Sequence, residues 1–428
     1  MRSATSRLYQ RDDAVLEFGD ATTGDPICLV GQFTIDFVFQ PDPRLSWSFR
    51  VREEDLALAH AVATPSRLPW TSTDGSKRLR LLVIRHGHTW GAQPVVEFSG
   101  IAESEPLSDS ADRAVEEVRF NVINLNAPLG TIRVTDGEGS WSLARHEWEC
   151  AGWRVVLDGQ TDVDWQELKA RAGYQVTHVG SLTRVDGGSF PFTNAIEFLG
   201  CLHWFLSLVQ GRRVGIALPT GFARRQSADS DCTPIIDIWS ILVTEAAGSG
   251  VESWYPKLEM RSLGGLLEAF CTQWDASDDQ RDYLRFLVAI YCTATAQAIL
   301  VEPRLVMAYV GLEAIAGEDV PEGQDVNVRV CLERALQRYR IPTDAEHLQN
   351  PRQLSPVRHL VAVRTAIVHP NQRRMQDDGW SHGQHVVHAW QVALWMLEVL
   401  LLKKLGYSGN YDNRLTRTTE QVPHSNPD

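Results

Sequence analysis

No CxxC pair, P-loop, GxGxxG or GxSxG string occurs anywhere in the 428 residues. Those absences remove the usual sequence cues for a zinc ribbon or redox dithiol, a nucleotide-binding fold and a nucleophile elbow. The seven cysteines, Cys28, Cys150, Cys201, Cys232, Cys271, Cys292 and Cys331, are odd in number and widely spaced. Such a set suits reduced core thiols in a cytosolic protein better than a disulfide framework or a zinc site. Long apolar runs are lacking too. FLVAIYCTATAQAILV and WQVALWMLEVLLL read as too short or too interrupted to span a bilayer, and MRSATSRLYQRDD has no signal-peptide core. The expectation is a cytoplasmic chain with no membrane partner, no metal and no cofactor.

What is present describes a globular protein: 43% hydrophobic residues and 22% charged, enough chain for two domains. The net charge of -13 argues against a protein that coats nucleic acid indiscriminately. The charge is uneven, however. From Cys331 onward twelve Lys and Arg face nine Asp and Glu, and seven of the 13 histidines lie there. A mildly basic, histidine-rich end can admit a polyanion that the remainder repels; a solvated surface with uneven charge is the plain alternative.

Periodicity divides the chain. Through residue 190, GQFTIDFVFQ, SWSFRV, RLRLLVIR, PVVEFSG, EVRFNVINLN, GTIRVTD and WRVVLDG are short, β-branched or aromatic. DVDWQELKARAG interrupts them as a helix. Residues 191–257 form a mixed connecting region, in which NAIEFLGCLHWFLSLVQG is helical and RRVGIALPTGFA strand-like. From 258 to 410 the pattern is that of five or six helices, with Gly317 and Gly406 where C-terminal caps belong. Residues 411–428 are polar and expected to be disordered. The class is α+β, a strand-rich sensing or regulatory domain before an all-α bundle.

Within the helical half, VRTAIVHP holds Arg364 and His369 with four residues between them. Its helix starts at Ser355-Pro356, a capping residue followed by a first-turn proline, and stops at Pro370. A permanently charged guanidinium and an imidazole that titrates near neutrality form a minimal kit for cleaving a phosphodiester. Five positions on an ideal helix separate the two side chains by about 140°. They converge if His369 lies beyond the regular helix, or if two chains share the site.

These residues resemble the HEPN superfamily, whose ribonuclease members carry Arg-x4-6-His at a helix end. MAYVGLEAIAGE is similar to the earlier LE-containing helix of such bundles, which adds Glu313 as a supporting residue. The longer stretch from YQVTHVGSLTRVDGGSF through DIWSILVTEAAGSGVESWYPKL resembles the central part of ApeA-like HEPN proteins of bacterial anti-phage defence. The resemblance covers roughly residues 174–405 and implies a metal-independent endoribonuclease, a homodimer through the helical domain, an RNA substrate and a phage-derived trigger. Arg364 and His369 would be catalytic. Thr365 stands where the family commonly has asparagine, and its shorter hydroxyl cannot reproduce a carboxamide's two donors.

Three other readings stand beside this one. A HEPN bundle without catalysis would serve as an RNA-binding or protein-interaction module. RLRLLVIRHGHT, with Arg85, His86 and Thr89, resembles the histidine-phosphatase signature, though the sequence after it looks extended rather than helical. His382, His385 and His388 recur every three residues. That step drifts around a helix, which suits polar surface or supporting roles near the site better than metal ligation.

Overall fold

The computed structural model describes residues 5–20, 26–39, 43–59, 62–63, 67–71, 78–89, 95–105, 113–126, 132–135, 141–161, 163–223, 234–248, 253–256, 263–318, 320, 327–345, 348, 354–369 and 382–423. The first strands are β1 (Thr5–Asp20), β2 (Pro26–Val38) and β3 (Arg44–Val51), followed by the short α1 (Leu56–Ala59). Then come β4 (Val62–Ala63), β5 (Arg67–Thr71), β6 (Arg78–Thr89), β7 (Val95–Glu105), β8 (Ala114–Val115) and β9 (Glu117–Ile123). β10 (Ile132–Thr135), β11 (Trp141–Cys150), β12 (Trp153–Gly159), α2 (Trp165–Ala170), β13 (Val176–Arg184) and β14 (Phe190–Pro191) lead to α3 (Phe192–Gln210), β15 (Gly215–Phe222) and β16 (Pro234–Asp237). Helices follow: α4 (Leu263–Asp275), α5 (Asp278–Thr295), α6 (Val301–Gly317), α7 (Val328–Arg338), α8 (Pro356–Val368) and α9 (His382–Lys404). A hairpin of β17 (Asn410–Asn413) and β18 (Thr418–Gln421) closes the described chain. This is an α+β protein, strand-rich first and helical afterwards.

Two compact units share the chain. One comprises Met1–Asn124, Gln166–Leu199 and Gly215–Ala246; the other comprises Leu125–Trp165, Gly200–Val214 and Ala247–Asp428. The chain thus passes between them several times, whereas the sequence suggested consecutive segments.

In the first unit β4-β1-β2-β3-β7-β6-β5 make a seven-stranded sheet with every pairing antiparallel. β3 shows why: Leu45, Trp47, Phe49 and Val51 are buried, while the residues between them are partly or fully exposed. Leu29, Phe33, Ile35 and Phe37 of β2 join the same core. Phe18 packs on Phe98 with ring centroids 4.6 Å apart. Each such side chain contributes about 1.5–3 kcal/mol on burial. β13-β9-β15-β16 continue the antiparallel pattern, and β8 pairs with β14. Just past β9, buried Asn124 takes a left-handed φ of 59°. Its amide donates to the carbonyls of Gly173 and Glu245, both at 3.0 Å, which fixes three segments at one point. Asparagine tolerates this backbone better than most residues.

The second unit holds the antiparallel β10-β11-β12 ladder and the helices. α5 starts at Ser277, whose hydroxyl accepts from the Gln280 N–H at 3.1 Å, with Asp278 and Asp279 in the first turn. α9 is the central helix, buried along nearly all of Val386–Leu402, and α6 packs against it, α5 and α7. Gly311 permits the close approach of α6, since a Cβ there would lie 2.9 Å from Leu397 Cδ1. Gly406, at φ 69°, ends α9 as expected, with the Tyr407 N–H donating to the Leu402 carbonyl at 2.9 Å. Gly317 does not act as a left-handed cap. It is the last residue of α6, and Glu318 caps the helix in a right-handed conformation.

One expectation is corrected here. The polar segment after residue 410 is an ordered hairpin over Asn410–Gln421, with Tyr411, Asn413 and Val422 buried. It is held by a charge network that polarity concealed. Buried Glu398 of α9 accepts from Arg414 Nε at 2.7 Å and from the Tyr291 hydroxyl at 2.6 Å. By length and composition alone, α3 and α9 are each sufficient to cross a membrane. Two thirds of that stretch in α3 (67%) and 83% of it in α9 are buried within the protein itself.

Candidate active site

α8 carries the Arg-x4-His pair, and its sequence sets both ends. Ser355 accepts from the Arg358 N–H at 3.3 Å, and Pro356 opens the helix where its missing N–H costs nothing. Val357, His359, Leu360 and Val363 form the buried face. α8 packs against α6, α7 and α9. The helix ends at Val368, and His369 leaves the helical conformation with φ -123° and ψ 68°. Its N–H still donates to the Thr365 carbonyl at 2.9 Å, so the residue is anchored as the C-cap. His369 is exposed, and Thr365 is half-buried. Placement beyond the regular helix is the first of the two arrangements that let this spacing converge.

Arg364 is half-buried, with its guanidinium carbon 5.2 Å from the Tyr309 ring centroid. A cation over an aromatic face gains about 0.5–1 kcal/mol, more when desolvated. Its Nε is buried without a hydrogen-bond partner among the described residues. A buried donor left unmatched costs about 1–3 kcal/mol, a cost that an incoming anion would remove. Glu313 lies four residues beyond Tyr309, on the same face of α6. Burial raises its carboxyl above the ordinary range, against the pull of Arg364. Burial and Glu313 raise the Tyr309 hydroxyl, and Arg364 again opposes. Arg364, Tyr309 and Glu313 therefore share one electrostatic neighbourhood.

A second cluster lies between α8 and α9. The His359 ring is 5.9 Å from that of His385 and 5.6 Å from that of His388. His385 is buried, not on the surface, and burial followed by the neighbouring His385 pushes His388 below its usual range. His388 therefore favours the neutral form. His382 opens α9, but its side chain falls outside the described residues. Among the described residues no group of three or more His, Cys, Asp or Glu side chains is arranged to hold a metal ion.

Sequence reasoning selected Arg364, His369, Thr365, Glu313 and the α9 histidines, and it missed Tyr309 and His359. Tyr309 had a usable signal in its four-residue step from Glu313. His359 had none, because one histidine among apolar residues reads as core. Elsewhere, His86 stacks on Phe98 with centroids 4.3 Å apart and planes 15° from parallel. It sits in an antiparallel strand that runs on to Thr89. That is not the strand-to-helix turn a phosphohistidine site uses.

Residues 110–240 match the family model described as YopA central domain, and residues 277–424 match the one described as YopA C-terminal domain. The second span includes Arg364, His369, Glu313 and the closing hairpin. The chain is also similar to the SPbeta prophage-derived uncharacterized protein YopA of Bacillus subtilis (strain 168). Identity is 28% over 337 residues, covering 74% of this chain and 73% of that protein. No solved structure matches the chain.

Proposed function

We propose that this protein is a metal-independent endoribonuclease of the HEPN kind, acting in the cytoplasm and in anti-phage defence. The observation that carries the reading is the end of α8. An exposed imidazole caps the helix there, five residues after a guanidinium whose buried Nε lacks an acceptor among the described residues. RNA brings its own nucleophile, the 2′-hydroxyl, so the protein has only protons and charge to manage. His369 takes the 2′-hydroxyl proton or returns one to the leaving 5′ oxygen. Arg364 holds the non-bridging oxygens and stabilises the charge that grows on them in the transition state.

Tyr309 and Glu313 orient the guanidinium without a bidentate lock, which leaves its donors for phosphate. Thr365 contributes the carbonyl that anchors His369. His359 on the buried face of α8 and His385 of α9 pack between the two helices as support rather than as chemistry. Two copies of the helical domain related by a two-fold axis would place both Arg-His pairs along one cleft. The prophage origin in the relative's name fits a protein whose trigger comes from phage.

The test is purified protein with RNA in the presence of EDTA, after sizing by light scattering. Expected are a dimer, undiminished cleavage, and products ending in 2′,3′-cyclic phosphate. Products with 3′-hydroxyl ends, or cleavage that stops on chelation, would overturn the mechanism. RNA bound tightly and left intact would favour the non-catalytic module.

A further inference from the structure

Three cysteines far apart in the sequence meet inside the second unit. Cys271 of α4 lies between Cys150, the last residue of β11, and Cys201 of α3. The Sγ–Sγ separations are 3.9 Å and 3.6 Å, and all three side chains are buried. The same elements also meet through aromatic rings. Trp148 is 6.4 Å from Phe205, and Phe205 is 5.8 Å from Phe270. This packing holds the sulfurs in register. Packing alone gives little reason for sulfur at all three positions, because a buried free cysteine fills space as a small apolar side chain does.

We propose that Cys150, Cys271 and Cys201 form an oxidative modification site in which a small hydroperoxide converts Cys271 and one neighbour into a disulfide. The first thiol gives up its proton and attacks hydrogen peroxide as the thiolate; the O–O bond breaks, the departing hydroxide takes that proton, and a sulfenic acid and one water result. The adjacent thiol attacks that sulfur, forming the S–S bond and releasing a second water. Two sulfurs lose two electrons in total, and one peroxide becomes two waters. Closing from 3.6 Å to a bond of about 2.05 Å needs only a short movement. Cys271 is common to both pairs, so one disulfide forms at a time. The third thiol can then exchange with it, which moves the staple between α3–α4 and β11–α4.

The environment selects the oxidant. The hydrogen bond with Cys271 and burial push the Cys150 thiol up. For Cys271 the bond with Cys150 pulls down, while the bond with Cys201 and burial outweigh it and push up. Burial excludes bulky or charged reagents, so a small neutral peroxide is the oxidant that can enter, and the raised Cys150 and Cys271 thiols keep their thiolate fraction small and the first step slow. Exposed Cys28 serves as an internal comparison.

The experiment treats the reduced full-length protein with graded hydrogen peroxide. Remaining thiols are alkylated after denaturation, and the peptides are mapped by mass spectrometry. Expected is a Cys201–Cys271 or Cys150–Cys271 linkage, with a melting temperature raised by about 5–10 °C through the closed loop. Cys201→Ser should leave only the Cys150–Cys271 linkage, and Cys150→Ser only the Cys201–Cys271 linkage. Cys271→Ser should abolish both. Recovery of all three as free thiols, at a dose that fully oxidises Cys28, would overturn the proposal. So would Cys271 found as sulfinic acid with no cross-link.

Discussion

Arg414→Ala should destabilise the protein sharply, although it lies in a segment that reads as a polar tail. Glu398 is 1% exposed, and its carboxylate is met by the Arg414 guanidinium and the Tyr291 hydroxyl. Removing the guanidinium leaves a buried carboxylate with one neutral donor. Breaking a buried pair in this way costs about 3–5 kcal/mol, chiefly because the remaining charge is uncompensated. At roughly 2–4 °C per kcal/mol for a domain of this size, the melting temperature should fall by about 6–20 °C. Far-UV circular dichroism on heating reads this directly. Glu398→Met with Arg414→Met removes both charges and should recover most of the loss. A single variant melting within about 2 °C of the parent would refute the reasoning, because no buried pair leaves so small a mark.

Acid should weaken the second unit through His203, which is buried and held near 4 by burial despite its bond to the Val214 carbonyl at 2.7 Å. The unfolded chain binds this proton near pH 6.5 and the folded one does not, so stability present above that pH is lost as pH falls toward 4. The total is about 3 kcal/mol, and urea midpoints at pH 7 and 4.5 should differ accordingly, with His203→Asn flatter. A wild-type midpoint unchanged over that interval would contradict it. Thr365→Asn should preserve or raise RNA cleavage if a carboxamide helps position Arg364; a loss beyond about tenfold would show that the hydroxyl itself is needed.

Much of the fold was legible because burial imposes a period. β3 alternates and α9 carries a long apolar stretch, Val392–Leu402, interrupted only by Glu398, and both were read correctly. β1 was missed because Arg11, Asp12 and Asp13 break its alternation, at the point where its register against β2 shifts. The closing hairpin was missed because its anchors, Tyr411, Asn413 and Arg414, are polar. Their burial depends on Glu398 and Trp395, which no local pattern connects to them. In the site, Arg364 and His369 were legible from spacing and from Ser355 and Pro356 at the helix start. Tyr309 had only its four-residue step from Glu313 as a signal, and His359 had none, since it resembles an ordinary core residue until its neighbours in space are known. The meeting of Cys150, Cys201 and Cys271 was illegible for the same reason.

The most direct test of the central claim is cleavage of a defined RNA by wild-type, Arg364→Ala, His369→Ala and His86→Ala proteins, each verified as folded. Loss of the phosphate clamp or of the proton carrier should lower the rate by about 100-fold or more, because the 2′-hydroxyl can supply neither role. His86→Ala should cleave as the parent does. Normal cleavage by His369→Ala, with His86→Ala inactive, would place the active site elsewhere and contradict the assignment.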